Sequence, residues 1–180
     1  MNPVENFLST IRFEPAEWIP SSPAVFELSY YGANHEGFDW ALSHDSPLGT
    51  RWTDIWGTGW HKIHPGVMGM PVVNPLAEPS ALAAYAWPDP EDERICGQIY
   101  RLADTYQREH TPESLLLGAS HRDTLWEKAY MLVGMENMMV YFKREPQFAR
   151  EVLRRIMDFQ LGMAEHYLRL GVRVANLGDD

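Results

Sequence analysis

The 180-residue chain holds one cysteine, Cys96. An internal disulfide is excluded, and so is a Cys2His2 zinc site built from this chain alone. Positive charge is scarce: 15 Lys and Arg stand against 25 Asp and Glu, a net charge of −10. Such a surface repels phosphate backbones and anionic headgroups, and the basic residues do not cluster. Neither nucleic acid nor a membrane surface is an expected partner. Long apolar runs are also missing. The most apolar segment, YMLVGMENMMVYF at 130–142, is interrupted by Glu136 and Asn137, so no membrane span is expected. The amino end, MNPVENFLSTIRFE, lacks the basic start and long apolar stretch of a secretory signal. A cytoplasmic protein is the expectation. No internal repeat and no low-complexity tract occurs.

What is present is ordinary in amount and uneven in placement. Hydrophobic residues make up 45% and charged residues 22%, as in soluble domains. Residues 3–11 suit a short helix with Phe7, Leu8 and Ile11 on one face, ended by Glu14-Pro15. An extended segment follows Trp18-Ile19-Pro20. Residues 32–80 are dense in Gly, Pro, His and Trp, and RWTDIWGTGWHK at 51–62 alternates around Gly-Thr-Gly, the pattern of a hairpin. Asp89 and Pro90 suit the N-cap and first position of a helix carrying Ile95, Ile99, Leu102, Ala103 and Tyr106. Residues 114–117 are short and apolar, as a strand buried on both faces would be. Helical patterns run from Asp123 to about Val133 and again from Pro146. The second carries Phe148, Val152, Ile156, Phe159, Met163, Tyr167 and Leu170. Gly171 is placed to end it, and Val172 to Leu177 reads as a second buried strand. Strand, helices, strand is a βαβ unit, so the fold class is α/β with parallel strands. Ligands in such folds gather at the carboxyl ends of strands. By that rule Gly118–Asp123 and Gly178–Asp180 belong to one functional face.

The candidate residues follow from that placement. Asp179 and Asp180 lie directly after the last strand, where one could project toward a substrate donor, a metal or a water. An acid pair there could equally cap a following helix or be a frayed end. Asp54 and Trp56, with Trp52, share a face if residues 52–56 are a strand, and could form an aromatic wall with one carboxylate. Close-set tryptophans could also simply plug a core, which is the reading for Trp60. His121 and Arg122 sit just after a strand, in reach of a ligand, although a solvent-facing role beside a capping Ser120 or Asp123 is the plainer reading. His61 and His64 could be metal ligands, but Gly59 and Pro65 argue against the helix that would align them. No metal site is assigned. Cys96 reads as a buried, inert thiol, and Met131, Met135, Met138 and Met139 as core filling.

Six segments together resemble the uroporphyrinogen decarboxylase superfamily: NPVENFLSTIRFEPAEWIP, WTDIWGTGW, PVVNPL, WPDPED, EKAYMLVGMENMM and the closing LGDD. The resemblance rests on their order over nearly the whole chain. It implies a (β/α)8 TIM barrel, a fold that takes about 250 residues. The GDD-like segment lies near the middle of that family's sequences. Residues 1–180 are therefore expected to form one incomplete barrel domain, the amino-terminal half, completed by residues beyond 180 or by a partner. The implied activities are porphyrinogen carboxy-lyase chemistry, as in porphyrin biosynthesis, or corrinoid-dependent methyl transfer. True uroporphyrinogen decarboxylases resemble one another in an early Arg-Gln-Ala-Gly-Arg motif. Here Arg12 is followed by no arginine until Arg51, so the substrate-carboxylate forks are absent and the methyltransferase-like relatives are favoured. Those relatives bind zinc through a His-x-Cys pair and a later Cys in their second half. The segment itself is expected to hold no cofactor, and zinc enters only with a C-terminal half. The implied partners are a tetrapyrrole or methylated small molecule, a corrinoid protein, and a second half-barrel or another copy of the chain. The segment alone is expected to be inactive. The alternative is a non-catalytic half-barrel that pairs with a partner protein.

Overall fold

The computed structural model describes residues 1–30, 46–67, 69–121 and 124–178. Helix α1 (Pro3–Ile11) opens the chain. Asn2 accepts a hydrogen bond from the Glu5 amide while the Glu5 carboxylate accepts from the Asn2 amide, and Pro3 occupies the first turn. Strand β1 (Val25–Leu28) follows. Three short strands, β2 (Arg51–Thr53), β3 (Gly59–His61) and β4 (Met70–Val73), then form an antiparallel sheet in that order. The expected hairpin is there, and β4 adds a third strand that the sequence pattern did not announce. A 3-10 turn at Pro79–Ala84 leads to α2 (Glu93–Glu109). Its N-cap is Asp92, whose carboxylate accepts from the Arg94 amide, and not Asp89. Asp89 instead accepts from the Glu91 amide in the preceding turn.

The second half alternates strand and helix. Strand β5 (Leu116–His121) is followed by α3 (Trp126–Val133), α4 (Met135–Arg144), α5 (Pro146–Arg169) and β6 (Val174–Leu177). Strand β5 starts two residues later than expected and runs through His121. Helix α4 was not anticipated. Gly134 sits between α3 and α4 at φ +90°, and its amide closes α3 onto Tyr130, so a turn that reads as an interruption is a hinge between two helices. Met138 is buried on α4, but Met135 and Met139 are exposed, which corrects the expectation that all four methionines fill the core. Gly171 ends α5 at φ +78°, the conformation expected of it.

Strands β1, β5 and β6 form one parallel sheet in the order β1-β5-β6. Side chains alternate across it. Phe26, Leu28, Ala119 and His121 face the helices: Phe26 lies 5.6 Å from the Tyr106 ring of α2, and His121 lies 4.8 Å from the Tyr167 ring of α5. Val25, Gly118 and Val174 meet on the opposite face. A Cβ at Gly118 would stand 2.3 Å from Val25 Cγ1 and 3.1 Å from Val174 Cγ1, so only glycine lets the three strands pack there. The main core runs from the sheet to α5, whose Phe148, Val152, Ile156, Phe159, Met163 and Tyr167 are all buried.

Candidate functional site

The carboxyl ends of β5 and β6 lie side by side. The Gly178 amide donates to the His121 carbonyl at 2.8 Å, and the Thr124 amide donates to the Gly178 carbonyl at 3.3 Å. His121 is 5% exposed. Its Nδ1 is 2.9 Å from Oε1 of Gln160 on α5, so with that amide orientation Nδ1 carries the proton and Nε2 is a lone-pair acceptor. Burial pushes the imidazole pKa down, opposed by the Gln160 hydrogen bond, and the ring is neutral at pH 7. His121 Nε2 and Gln160 Nε2 are both buried and have no hydrogen-bond partner among the described residues. Exchanging the amide O and N would swap the roles, but one donor and one acceptor would still be left side by side. Tyr167, stacked edge-on against His121, has its hydroxyl pKa raised by burial.

An aromatic chain connects this corner to the tryptophan-rich segment. His121 contacts Tyr30, with ring centroids 5.9 Å apart. Tyr30 contacts Phe159 at 5.7 Å, and Phe159 contacts Trp56 at 4.7 Å. Trp56 is 1% exposed, also meets Trp87 edge-on and lies under Lys128, whose Nζ is 5.3 Å from its ring centroid. It is a core residue in this structure. Trp52 and Trp60 stack with centroids 6.2 Å apart and planes within 6°.

Asp54 lies in the turn between β2 and β3, not on a strand shared with Trp56. Its Oδ1 accepts from the amides of Trp56 (2.9 Å) and Thr58 (2.8 Å), and its Oδ2 accepts from the indole Nε1 of Trp60 (2.9 Å). Gly57, at φ +74°, lets the turn close. Burial raises the Asp54 pKa, opposed first by the charge of Lys128 and then by those three donors. The carboxylate is thus already engaged as the organiser of a turn. The Trp56 indole Nε1 and the Thr58 hydroxyl are buried without hydrogen-bond partners among the described residues.

Of the residues singled out in the sequence, His121 stands at a strand end next to buried polar groups, while Asp54 and Trp56 lie at the other end of the aromatic chain. Asp179, Asp180 and Arg122 lie outside the described residues. His61 is on β3 and His64 accepts from the Gly66 amide through its own Nδ1. Among the described residues no three His, Cys, Asp or Glu side chains are grouped to hold a metal, and no helix is long and apolar enough to cross a membrane. Cys96 is buried, and burial together with the nearby Glu91 pushes its thiol pKa up. Sequence reasoning missed Gln160 and Lys128. Gln160 is a polar residue next to Phe159 and within one turn of Ile156 and Met163, which was a usable signal. Lys128 offered little: a lysine in a short helix normally faces water, yet this one is fully buried.

No family model matches the chain, and no curated protein matches it. A solved methyltransferase from Methanosarcina mazei has a similar fold, with a TM-score of 0.60 and 10% identity. The match covers 97% of this chain and 58% of that one. The chain therefore spans a little over half the length of that enzyme, and at this identity the likeness is one of fold.

Proposed function

We propose that the chain is part of a (β/α)8 barrel enzyme of the uroporphyrinogen decarboxylase superfamily, on its methyltransferase side. The observation that carries this reading is the parallel β1-β5-β6 sheet with its βα order, matched over 97% of the chain by a methyltransferase fold. In such barrels ligands sit at the carboxyl ends of the strands. That rule gives this segment the wall formed after β5 and β6, including His121 and the Asp179-Asp180 pair. Asp54 and Trp56 would shape the wall from behind by fixing the β2–β3 turn. The reaction class is transfer of a methyl group from a corrinoid to an acceptor such as a thiol. In that class a methylcorrinoid would supply the methyl group and keep the carbon–cobalt electron pair, and the acceptor thiol would form the new carbon–sulfur bond and give its proton to a base. Zinc would supply a thiolate-like acceptor at neutral pH. The described residues do not offer a ligand set for it, so its ligands belong to the rest of the barrel. Porphyrinogen decarboxylation is less well supported, because no arginine lies between Arg12 and Arg51 to meet several substrate carboxylates.

The test is anaerobic incubation of the protein, isolated with whatever completes it in the producing cell, with methylcob(III)alamin, a small thiol and zinc. Formation of cob(I)alamin together with the methyl thioether supports the reading. Absence of both products, with porphyrinogens also left intact, overturns it. One observation favours a second reading, a non-catalytic half-barrel: the exposed apolar flank of α5 beside the β6 edge, with Leu161, Leu168 and Leu177 all exposed. That reading predicts binding to a second half without turnover.

A further inference from the structure

Helix α5 carries two apolar faces. One is buried in the core. The other is Met157, Leu161, Ala164 and Leu168, spaced 4, 3 and 4 residues apart, which keeps them on a single stripe. Leu161 is 58% exposed and Leu168 71%. Facing them, Leu177 on β6 is 68% exposed, with Ala175 on the same side of the strand. Between the stripe and the strand runs a groove of about 570 Å³ whose lining is almost wholly apolar. The stripe alone extends roughly 16 Å at the rise of an α-helix. An amphipathic helix in a βα fold does not normally leave its second stripe in water, and an uncovered strand edge is a liability.

We infer that this groove seats one more helix, contributed by the remaining βα repeats of the barrel. The inference rests on the barrel reading above and names what covers this flank. Four observations fix the occupant. Strand β6 pairs with β5 on one edge and with no strand among the described residues on the other. In a parallel sheet the connection that leaves β6 at Gly178 must return along the helix layer before another strand can pair, and the groove lies in that layer beside α5. The two ends of the groove differ in polarity in the sense such a helix requires. At the Gly178 end lie His121 Nε2 and Gln160 Nε2, one acceptor and one donor without partners, and the first turn of a helix brings amides that need acceptors. At the other end lies Arg173, where the returning helix would deposit its unpaired carbonyls and the negative end of its dipole. Finally, the Methanosarcina methyltransferase matches this chain over 58% of its length, so that enzyme has further chain outside the shared fold.

The experiment is Leu161→p-benzoylphenylalanine in the producing cell, irradiation, and sequencing of the cross-linked peptide, with the same probe at Arg155, exposed about 120° around α5 from Leu161, as control. The expected product joins position 161 to a peptide with apolar residues at helical spacing that follows a strand-like run, and this product is absent from the Arg155 control. A cross-link to a second copy of residues 1–178, to lipid or small molecule, or to no polypeptide overturns the inference. Methyl transfer is assayed on the same preparation. A covered groove without methyl transfer defeats the methyl-transfer reading and leaves this inference standing, and an open groove in a methyl-transferring protein defeats this inference and leaves methyl transfer standing.

Discussion

Two buried polar residues, Asp54 and His121, stand at opposite ends of one aromatic chain and are treated differently by the fold. Asp54 has both oxygens engaged by three N–H donors and a lysine charge nearby. His121 has one nitrogen engaged and no partner for the other among the described residues, and Gln160 is likewise half satisfied. Buried polar groups are almost always paired, because leaving one unpaired costs about 1–3 kcal/mol. The Asp54 carboxylate therefore reads as finished structure, while the His121–Gln160 pair reads as structure that waits for another group. Binding residues belong in the second category.

The largest effect should come from Asp54→Ala. The change strands the Trp56 and Thr58 amides and the Trp60 indole, and removes a carboxylate charge that interacts with Lys128. Loss of one partner from a buried charged network costs about 3–5 kcal/mol, which urea unfolding of the isolated chain would read as a large drop in midpoint. Asp54→Asn keeps one acceptor and should lose less. It also tests the pH dependence. Because burial raises the folded pKa of Asp54 above 3.8, the folded state binds the proton more tightly than the unfolded state. Stability therefore falls as pH rises from 3.8 through the folded value. In Asp54→Asn that component of the fall should vanish. His121 acts in the opposite direction: its folded pKa lies below 6.5, so stability is lost as pH falls below 6.5.

A smaller effect is expected at the other end. His121→Ala leaves Gln160 with no partner at all and opens space beside Tyr167, at a cost of about 1–3 kcal/mol. The sharper experiment is the pair His121→Leu with Gln160→Leu. Replacing both partners by apolar groups of similar shape can be neutral or stabilising. In the isolated chain the double variant should unfold at or above the wild-type midpoint, since two unpaired buried atoms disappear. A double variant as damaged as Asp54→Ala would remove the distinction between the two corners.

The parts of this fold that were legible in the sequence are those held by local rules. Helix α1 has its capping residues and α5 its long apolar stripe and Gly171; the apolar run at 172–177 located β6, but the strand begins at Val174, and Ala175, Asn176 and Leu177 are exposed rather than buried as expected. The segments that were misread depend on distant partners. Helix α4 buries only Met138, so it shows no full stripe, and Gly134 looks like a break until Asn74 and its neighbours are seen lining the hinge. Strand β4 carries Pro71 and pairs through an irregular register with β3, which no period-2 pattern reveals. In the candidate site His121 was marked from an expected place after a strand, and it is the buried last residue of β5. Gln160 was hidden because a glutamine within a helical stripe looks like an error in the stripe, and Lys128 because its burial depends on Trp56, 72 positions away in the numbering. Asp54 was marked for its carboxylate, and only the turn geometry shows that three donors already claim it.

The smallest effect in the isolated chain is predicted for Leu161→Glu, and its smallness is what makes it informative. Leu161 is 58% exposed on the outer stripe of α5. Exposed substitutions away from caps and cores stay within about 0.5 kcal/mol, and glutamate is a good helix former. Thermal unfolding of the 180-residue chain should therefore be nearly unchanged, and its solubility should rise as an apolar patch is broken. Once a helix fills the groove, the same carboxylate is buried against apolar side chains without a partner, which costs several kcal/mol. The variant should then fail to assemble, or should assemble with a sharply lower melting temperature. Comparing the melting shift of the isolated chain with that of the completed protein separates a surface from an interface. Equal, small shifts in both would mean that Leu161 stays in water and that the unpaired His121–Gln160 corner must be closed by something other than a packed helix.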